Sequence, residues 1–317
     1  MKAFARFCAV AALVVLPLPK AAAQSPPAPA VSKVEEELPV WSPYGAARVI
    51  RNIPYAAHPA PRQNFDLFLP RDKAAGPYPL IFWIHGGAWM MGFKDWDNVK
   101  YLVQHGYAIA STDYRLSTEA RFPAQIQDCN LALNYVLAHA ADYGIDPGKL
   151  IIGGASAGGH LALLLGLARH ERAFDADPAV QPLAILDFFG PADFNRMTDD
   201  LKSIHSQKGL DLMVDANSKL FGAPVDQKPE QARVASPMTY ITSASAPVLI
   251  LQGGRDDLVP LAQSERLHEA LDSAGVKNEL IVVHSAGHDG PLFSTPAIET
   301  KLVRFLNGIL RHPKPGN

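Results

Sequence analysis

Gly154-Ala155-Ser156-Ala157-Gly158 is a G-x-S-x-G pentapeptide, set directly after an apolar run and directly before a helical pattern. A serine on so tight a strand-to-helix turn is forced into unfavourable backbone angles. Side chains two positions either side would collide there, which explains the glycines. The turn pushes the hydroxyl outward, and the helix behind it aims its positive end at the reacting centre. The chemistry such a serine offers is attack on an acyl carbonyl. Alone, the pentapeptide is a weak signal, because small residues are common in this chain and a packed glycine-rich turn reads the same.

Serine is a poor nucleophile without a base and a group to orient that base. His288, in Ser285-Ala286-Gly287-His288-Asp289-Gly290, follows an apolar run and is the candidate base. Gly253-Gly254-Arg255-Asp256-Asp257-Leu258-Val259-Pro260 follows another apolar run, and by chemistry alone either aspartate could serve as the acid. Serine, then aspartate, then histidine is the chain order expected where the serine sits on such an elbow. Acyl transfer also creates a negatively charged oxygen that paired main-chain N–H groups must meet. His85-Gly86-Gly87-Ala88-Trp89 supplies the candidates. Gly86, Gly87 and Ala88 are assigned to this oxyanion hole, with the N–H groups of Gly87 and Ala88 as donors beside that of Ala157. His85 is expected to brace the loop by hydrogen bonding. Trp89, with Met90 and Met91, is expected to line the acyl side of the cleft, although such side chains fill cores equally well.

Other chemistries are poorly supported. His284 and His288 stand four apart, but Gly287 and the preceding β-like run argue against the helix a metal pair needs, and no third ligand is evident. No phosphate loop of the G-x-x-x-x-G-K type occurs, so no cofactor and no metal are expected. The formal charge of −2 gives no basic surface for nucleic acid or an anionic membrane.

The elements that must position these residues alternate regularly. Phe65–Leu69, Leu80–Ile84, Tyr107–Thr112, Leu150–Gly153, Leu183–Phe188, Val248–Leu251 and Leu280–Val283 read as strands, the inner ones almost wholly apolar. Pro123–Ala140, Ala157–Ala168, Leu261–Ala274 and Thr295–Leu310 read as helices. Such alternation implies an α/β fold, a mostly parallel twisted sheet with helices on both faces. The polar helical fragments from about Asp193 to Thr239, with Pro224, Pro229 and Pro237, break the rhythm and predict a cap over the cleft.

With 48% hydrophobic residues, the stretch 48–312 is long enough for one domain with a large core. Ahead of it, Lys2 and Arg6 precede an apolar run, Phe7–Leu18, and the small residues Ala21-Ala22-Ala23. Residues 1–23 therefore read as a secretory signal, too short to be a stable membrane anchor. Residues 24–47 read as a Pro/Ala-rich linker and N-terminal extension. Loss of Cys8 with the signal leaves Cys129 alone in an apolar helical pattern, where it reads as a small buried hydrophobe.

Together these motifs resemble the α/β-hydrolase superfamily, and within it the hormone-sensitive-lipase-like esterases and a related group named after a feruloyl esterase. The matches are HGGAW at His85, DYRL from Asp113 followed by Phe122-Pro123, GASAGGHLA from Gly154, RDDLVP at Arg255 and the Gly287-His288 pair. They span about Arg48 to Leu310. The family's D-x-x-V-P pattern implies Asp256 rather than Asp257 as the acid, and makes Arg115 and Asp128 a structural pair. The lipase-like branch carries a third glycine where this chain has Ala88-Trp89, which brings it closer to feruloyl esterase-like proteins and kynurenine formamidase. The signal segment implies export to the periplasm or beyond, and the resemblance implies a serine esterase acting on a small-molecule or carbohydrate-linked ester. An amide hydrolase with the same triad, or a non-catalytic hydrolase-fold binding module, are the alternatives.

Overall fold

Residues of the central strands alternate between two apolar layers, and this alternation fixes the architecture of the computed structural model, which describes residues 35–37, 47–72 and 76–311. The signal segment 1–23 and the Pro/Ala stretch lie outside the described residues. The strands are β1 (Glu35–Glu37), β2 (Ala47–Pro54), β3 (Asn64–Pro70), β4 (Tyr78–Ile84), β5 (Ala108–Thr112), β6 (Ile145–Ala155), β7 (Ala184–Phe188), β8 (Val248–Gly253) and β9 (Asn278–Val283). They form one sheet in the order β1-β2-β3-β5-β4-β6-β7-β8-β9. The pairs from β1 to β5 run antiparallel, and those joining β5, β4, β6, β7, β8 and β9 run parallel.

The helices are α1 (Ala124–Ala138), α2 (Ala140–Tyr143), α3 (Ala157–Leu167), α4 (Phe194–Ser203), α5 (Gln207–Phe221), α6 (Pro229–Ala235), α7 (Leu261–Ser273) and α8 (Pro296–Arg311). On β4, Leu80, Phe82 and Ile84 face a layer with Ile126 and Leu133 of α1 and Leu161 and Leu164 of α3. Their neighbours Ile81 and Trp83 face the opposite layer, with Leu302 and Phe305 of α8. Leu267 and Leu271 of α7 pack beside Leu163 on Ile185, Val248 and Ile250. The expected arrangement, a mostly parallel sheet covered on both faces, is what the chain adopts. Among the described residues, no helix is long and apolar enough to cross a membrane.

One difference from the sequence reading has a physical cause. Strands β1 and β2 are absent from it. In β2 the pairing register shifts between Ile50 and Ile53, and Asn52 takes a left-handed φ of 55°, so the apolar alternation is interrupted. The helix expected over Pro123–Ala140 is α1, and the short α2 follows it after His139. Between β7 and β8, where a cap is expected, lie α4, α5 and α6, and Met197 and Leu201 of α4 with Met213 of α5 form a small apolar cluster that reaches Val259 beyond β8. Cys129 is buried in α1, and burial pushes its thiol well above the ordinary range.

Candidate active site

Strand β6 ends at Ala155, α3 begins at Ala157, and Ser156 between them takes φ 56° and ψ −120°. The crowding inferred for the flanking glycines is present. A Cβ on Gly154 would lie 2.2 Å from the Gly158 carbonyl oxygen, and one on Gly158 only 2.0 Å from that of Ile84. The Ser156 N–H donates to the Phe188 carbonyl at 2.8 Å, tying the turn to β7.

His288 hangs from the loop after β9. Its Nε2 stands 2.8 Å from Ser156 Oγ and its Nδ1 2.8 Å from Asp256 Oδ2. Phe189 meets the imidazole edge-on at 5.0 Å between ring centres and fixes its plane. Asp256 lies just beyond β8, with its side chain wholly buried. Its Oδ1 accepts from the main-chain N–H groups of Leu258 and Val259 at 2.9 and 2.8 Å, and its Oδ2 from Gln252 Nε2 at 2.9 Å. Gln252 is itself held by Ser264 Oγ, which donates to Oε1 at 2.8 Å. Asp257 turns outward, half exposed, with Lys208 at 3.4 Å. Of the two aspartates left open by chemistry, Asp256 is the one in contact with the imidazole.

Gly86, Gly87 and Ala88 line the same cleft as Ser156 and His288. Gly87, Ala88 and Trp89 all have positive φ, at 113°, 51° and 58°, so the loop makes a left-handed bend over the serine. The bend is closed by the N–H groups of Met90 and Met91, both donating to the Gly87 carbonyl at 3.0 Å. Ala157 follows the serine as the first residue of α3. His85 is fully buried beneath the loop. Its ring stacks on Tyr114 at 4.4 Å, its Nδ1 donates to the Gly86 carbonyl at 2.7 Å, and its Nε2 lies 3.3 Å from Asp113. Arg115 grips Asp128 through two nitrogens, Nε to Oδ2 at 2.9 Å and Nη2 to Oδ1 at 2.7 Å.

Trp89 is not where a substrate-lining residue belongs. It is fully buried, donates from Nε1 to His160 Nδ1 at 3.1 Å, and packs on Phe194 of α4 at 5.5 Å. Its left-handed backbone carries the indole away from the cleft into the layer between α3 and the cap. Met91 does line the cleft. So do Trp96, Asn98, Phe189, Leu212, Met213 and Leu258, none of which the sequence singles out, and together they enclose about 510 Å³. Leu212 and Met213 come from α5, so the segment between β7 and β8 furnishes part of the wall.

Two further buried groups flank the elbow. His160, four residues after the serine, donates from Nε2 to the Ala235 carbonyl at 2.7 Å, and burial lowers its pKa to about 4. On β7, burial raises the Asp187 carboxyl to about 8. Its Oδ1 accepts from the Gly190 N–H at 3.0 Å, and its Oδ2 has no partner among the described residues. The sequence carries a hint of both, a histidine and an aspartate inside otherwise apolar elements. Gln252, at the end of apolar β8, gives a similar hint.

The chain is similar in sequence to Esterase LipC of Mycobacterium tuberculosis, 27% identical over 70% of this chain and 54% of that protein. It is 33% identical to the Probable carboxylic ester hydrolase LipM of the same organism, over 60% of this chain and 44% of the other. The chain thus spans about half the length of these relatives. A solved structure described as a truncated form of a carbohydrate esterase from gut microbiota superposes with a TM-score of 0.71 at 27% identity, covering 82% of this chain and 95% of that one. The BD-FAE family model matches residues 65–271, nearly two thirds of the chain and all the motif-bearing strand ends except the His288 loop. By that match the chain belongs to the BD-FAE family, a hormone-sensitive-lipase-like branch of the α/β-hydrolases.

Proposed function

We propose that the protein is an exported serine hydrolase that cleaves carboxylic esters, with acetyl, other short-chain acyl or feruloyl esters as its substrates. The observation that carries this reading is the unbroken hydrogen-bonded line from Ser156 through His288 to Asp256, 2.8 Å at each step. Ser156 Oγ attacks the ester carbonyl while His288 Nε2 takes its proton. Asp256 holds the imidazole through Nδ1 and balances the charge it gains. The carbonyl oxygen becomes an anion facing the N–H groups of Gly87, Ala88 and Ala157. His288 then protonates the leaving alcohol, and the acyl group stays on Ser156. Water, deprotonated by the same histidine, attacks the acyl-enzyme and releases the acid.

The esterase names of the sequence relatives support the reaction, and the carbohydrate esterase among the structural relatives supports a sugar-linked ester. The basic and apolar N-terminus supports export. The test is hydrolysis of p-nitrophenyl esters from acetate to decanoate, and of methyl ferulate, by the wild type and by Ser156→Ala. Turnover by the wild type with a loss of about 10⁴-fold or more in the variant is expected. Equal, residual activity in both proteins would overturn the reading.

A further inference from the structure

The oxyanion hole of the proposed reaction comes from two separate pieces of chain. Gly87 and Ala88 belong to the loop after β4, whereas Ala157 opens α3. Three donors can serve one oxygen only if the two pieces keep their relative position to within about half an ångström. The loop is the piece less able to hold itself. Ala88 and Trp89 both have left-handed backbones, which L-residues keep only where their surroundings impose it. The Trp89 carbonyl accepts from the Ser117 N–H at 2.8 Å, and this fastens the outer end of the loop to the segment after β5.

The Trp89 side chain reaches the other piece. Its Nε1 donates to His160 Nδ1 at 3.1 Å, and the two rings meet edge to face at 5.2 Å. His160 lies in the first turn of α3, and its main-chain N–H donates to the Ser156 carbonyl at 3.0 Å. The bond therefore joins the oxyanion loop to the turn that carries both the nucleophile and the third donor. Its partners also fix where the imidazole carries its proton. An indole N–H can only donate, so Nδ1 is bare. The Ala235 carbonyl, 2.7 Å from Nε2, can only accept, so the proton is on Nε2. His160 and Trp89 are fully buried, and Phe194 packs on both, at 5.0 and 5.5 Å between ring centres. With no water to compete for either nitrogen, the arrangement is held firmly.

We propose that His160 is a positioning residue for ester hydrolysis, which through Trp89 keeps the Gly87 and Ala88 N–H groups in register with that of Ala157. It is not among the residues that line the cleft, so it acts through the loop and not on the substrate. Its effect falls on the transition state, where the carbonyl oxygen becomes an anion and draws most on the donors. The bond to Ala235 has a different task, fastening the end of α6 to α3. This rests on the ester-hydrolase reading and adds to it the group that holds the oxyanion hole together.

Two replacements separate the two nitrogens. In His160→Asn, Oδ1 stands in for Nδ1 and keeps the indole bond. In His160→Gln, the amide nitrogen stands in for Nε2 and keeps the Ala235 bond. Each leaves one buried partner unpaired, so a merely structural role would make them alike. Trp89→Phe removes the indole N–H and keeps an aromatic ring. The readout is kcat/KM for p-nitrophenyl acetate divided by that for its thiono analogue, whose larger, weakly accepting sulfur draws less from the oxyanion donors. His160→Gln and Trp89→Phe are expected to lower this ratio about tenfold, less than the loss of a whole donor, and His160→Asn to keep it within about twofold of wild type. An unchanged ratio in His160→Gln and Trp89→Phe, or equal falls in His160→Asn and His160→Gln, would overturn the positioning role. Should a histidine variant fail to fold, Trp89→Phe decides alone. If the wild type hydrolyses no ester, the ester-hydrolase reading fails, and the rate at which a p-nitrophenyl phosphonate labels Ser156 decides instead. Labelling about tenfold slower in His160→Gln and Trp89→Phe than in His160→Asn supports the role, and equal rates refute it.

Discussion

Replacing Asp256 by asparagine changes one atom and one charge, and the hydrogen bonds around it determine the consequence. Four donors converge on the carboxylate: the N–H groups of Leu258 and Val259 on Oδ1, and Gln252 Nε2 with His288 Nδ1 on Oδ2. Asparagine offers one oxygen and one NH₂. Turned toward the main chain, the NH₂ would leave two fixed N–H donors facing it, at about 1–3 kcal/mol for each buried group left unpaired. The oxygen therefore stays on Leu258 and Val259, and the NH₂ faces Gln252 and His288. Gln252 cannot turn its amide without setting Oε1 against the Val259 carbonyl, to which Nε2 also donates at 3.0 Å, so it keeps its orientation and loses one partner. His288 can adapt only by giving up the proton on Nδ1 and carrying it on Nε2.

Nε2 is the atom 2.8 Å from Ser156 Oγ, and once protonated it cannot accept the serine proton. Asp256→Asn is expected to fold with an unchanged Tm within a few degrees and to lose about 10³–10⁴ in kcat on p-nitrophenyl acetate. That loss corresponds to about 4–5.5 kcal/mol of barrier. Asp257→Asn removes a carboxylate that is half exposed and 3.4 Å from a lysine that is largely in water. Exposed pairs contribute little, so this variant should stay within about twofold of wild type. The assay is steady-state kinetics of the three proteins beside their thermal unfolding. Equal losses in the two variants, or an Asp256→Asn enzyme within tenfold of wild type, would refute the tautomer argument.

Other perturbations read other parts of the elbow. Gly158→Ala would put a Cβ 2.0 Å from the Ile84 carbonyl oxygen, so α3 must lift from β4. Urea unfolding should show a loss of about 1–3 kcal/mol together with a fall in esterase activity, and an unshifted midpoint would contradict the crowding. His160 has a folded pKa near 4, so the unfolded chain binds more protons below the ordinary pKa of 6.5. Its contribution to stability is present above that pH and is lost as pH falls toward 4, by up to about 1.4 kcal/mol per unit. His160→Gln should lack that slope, and parallel stability curves for variant and wild type between pH 4 and 6.5 would count against it. Asp187 has the opposite sign. Its folded pKa near 8 lies above the ordinary 3.8, so its contribution is present below about pH 4 and is lost as pH rises to 8. Asp187→Asn should therefore gain on wild type by about 1.4 kcal/mol per unit between pH 5 and 7, and chemical denaturation across that range decides it.

Much of the fold and the site is legible in the residues alone, for reasons that differ by position. The central strands are readable because burial on both faces demands unbroken apolar runs, as in Leu80–Ile84 and Val248–Leu251. Ser156 is readable because its strained turn demands glycines at fixed offsets. Asp256 is not separable from Asp257 by residue chemistry, and only the family pattern prefers it. What distinguishes them is the direction of two main-chain N–H groups, which no side-chain identity encodes. Trp89 defeats the sequence reading for a related reason. The left-handed turn through Gly87, Ala88 and Trp89 reverses which way the indole points, and an alanine and a tryptophan at positive φ leave no mark in the sequence. Gln252 and Ser264 cannot be matched from the sequence, because a polar residue announces a partner without naming it.

The same principle separates the two buried carboxyls at the ends of adjacent strands. Asp187 on β7 and Asp256 just past β8 are the same residue type, and both are shut away from water. Asp256 is met by four donors, three of them held in place by the strand end, its turn and Ser264. That coordination replaces the hydration a carboxylate gives up on burial. Asp187 receives one main-chain N–H and is driven toward its neutral form. Starving Asp187 of donors thus puts a neutral carboxyl against Gly159 at the start of α3. The number of N–H groups reaching each aspartate divides the labour between them, so the chemistry of this site is set by the backbone as much as by its side chains.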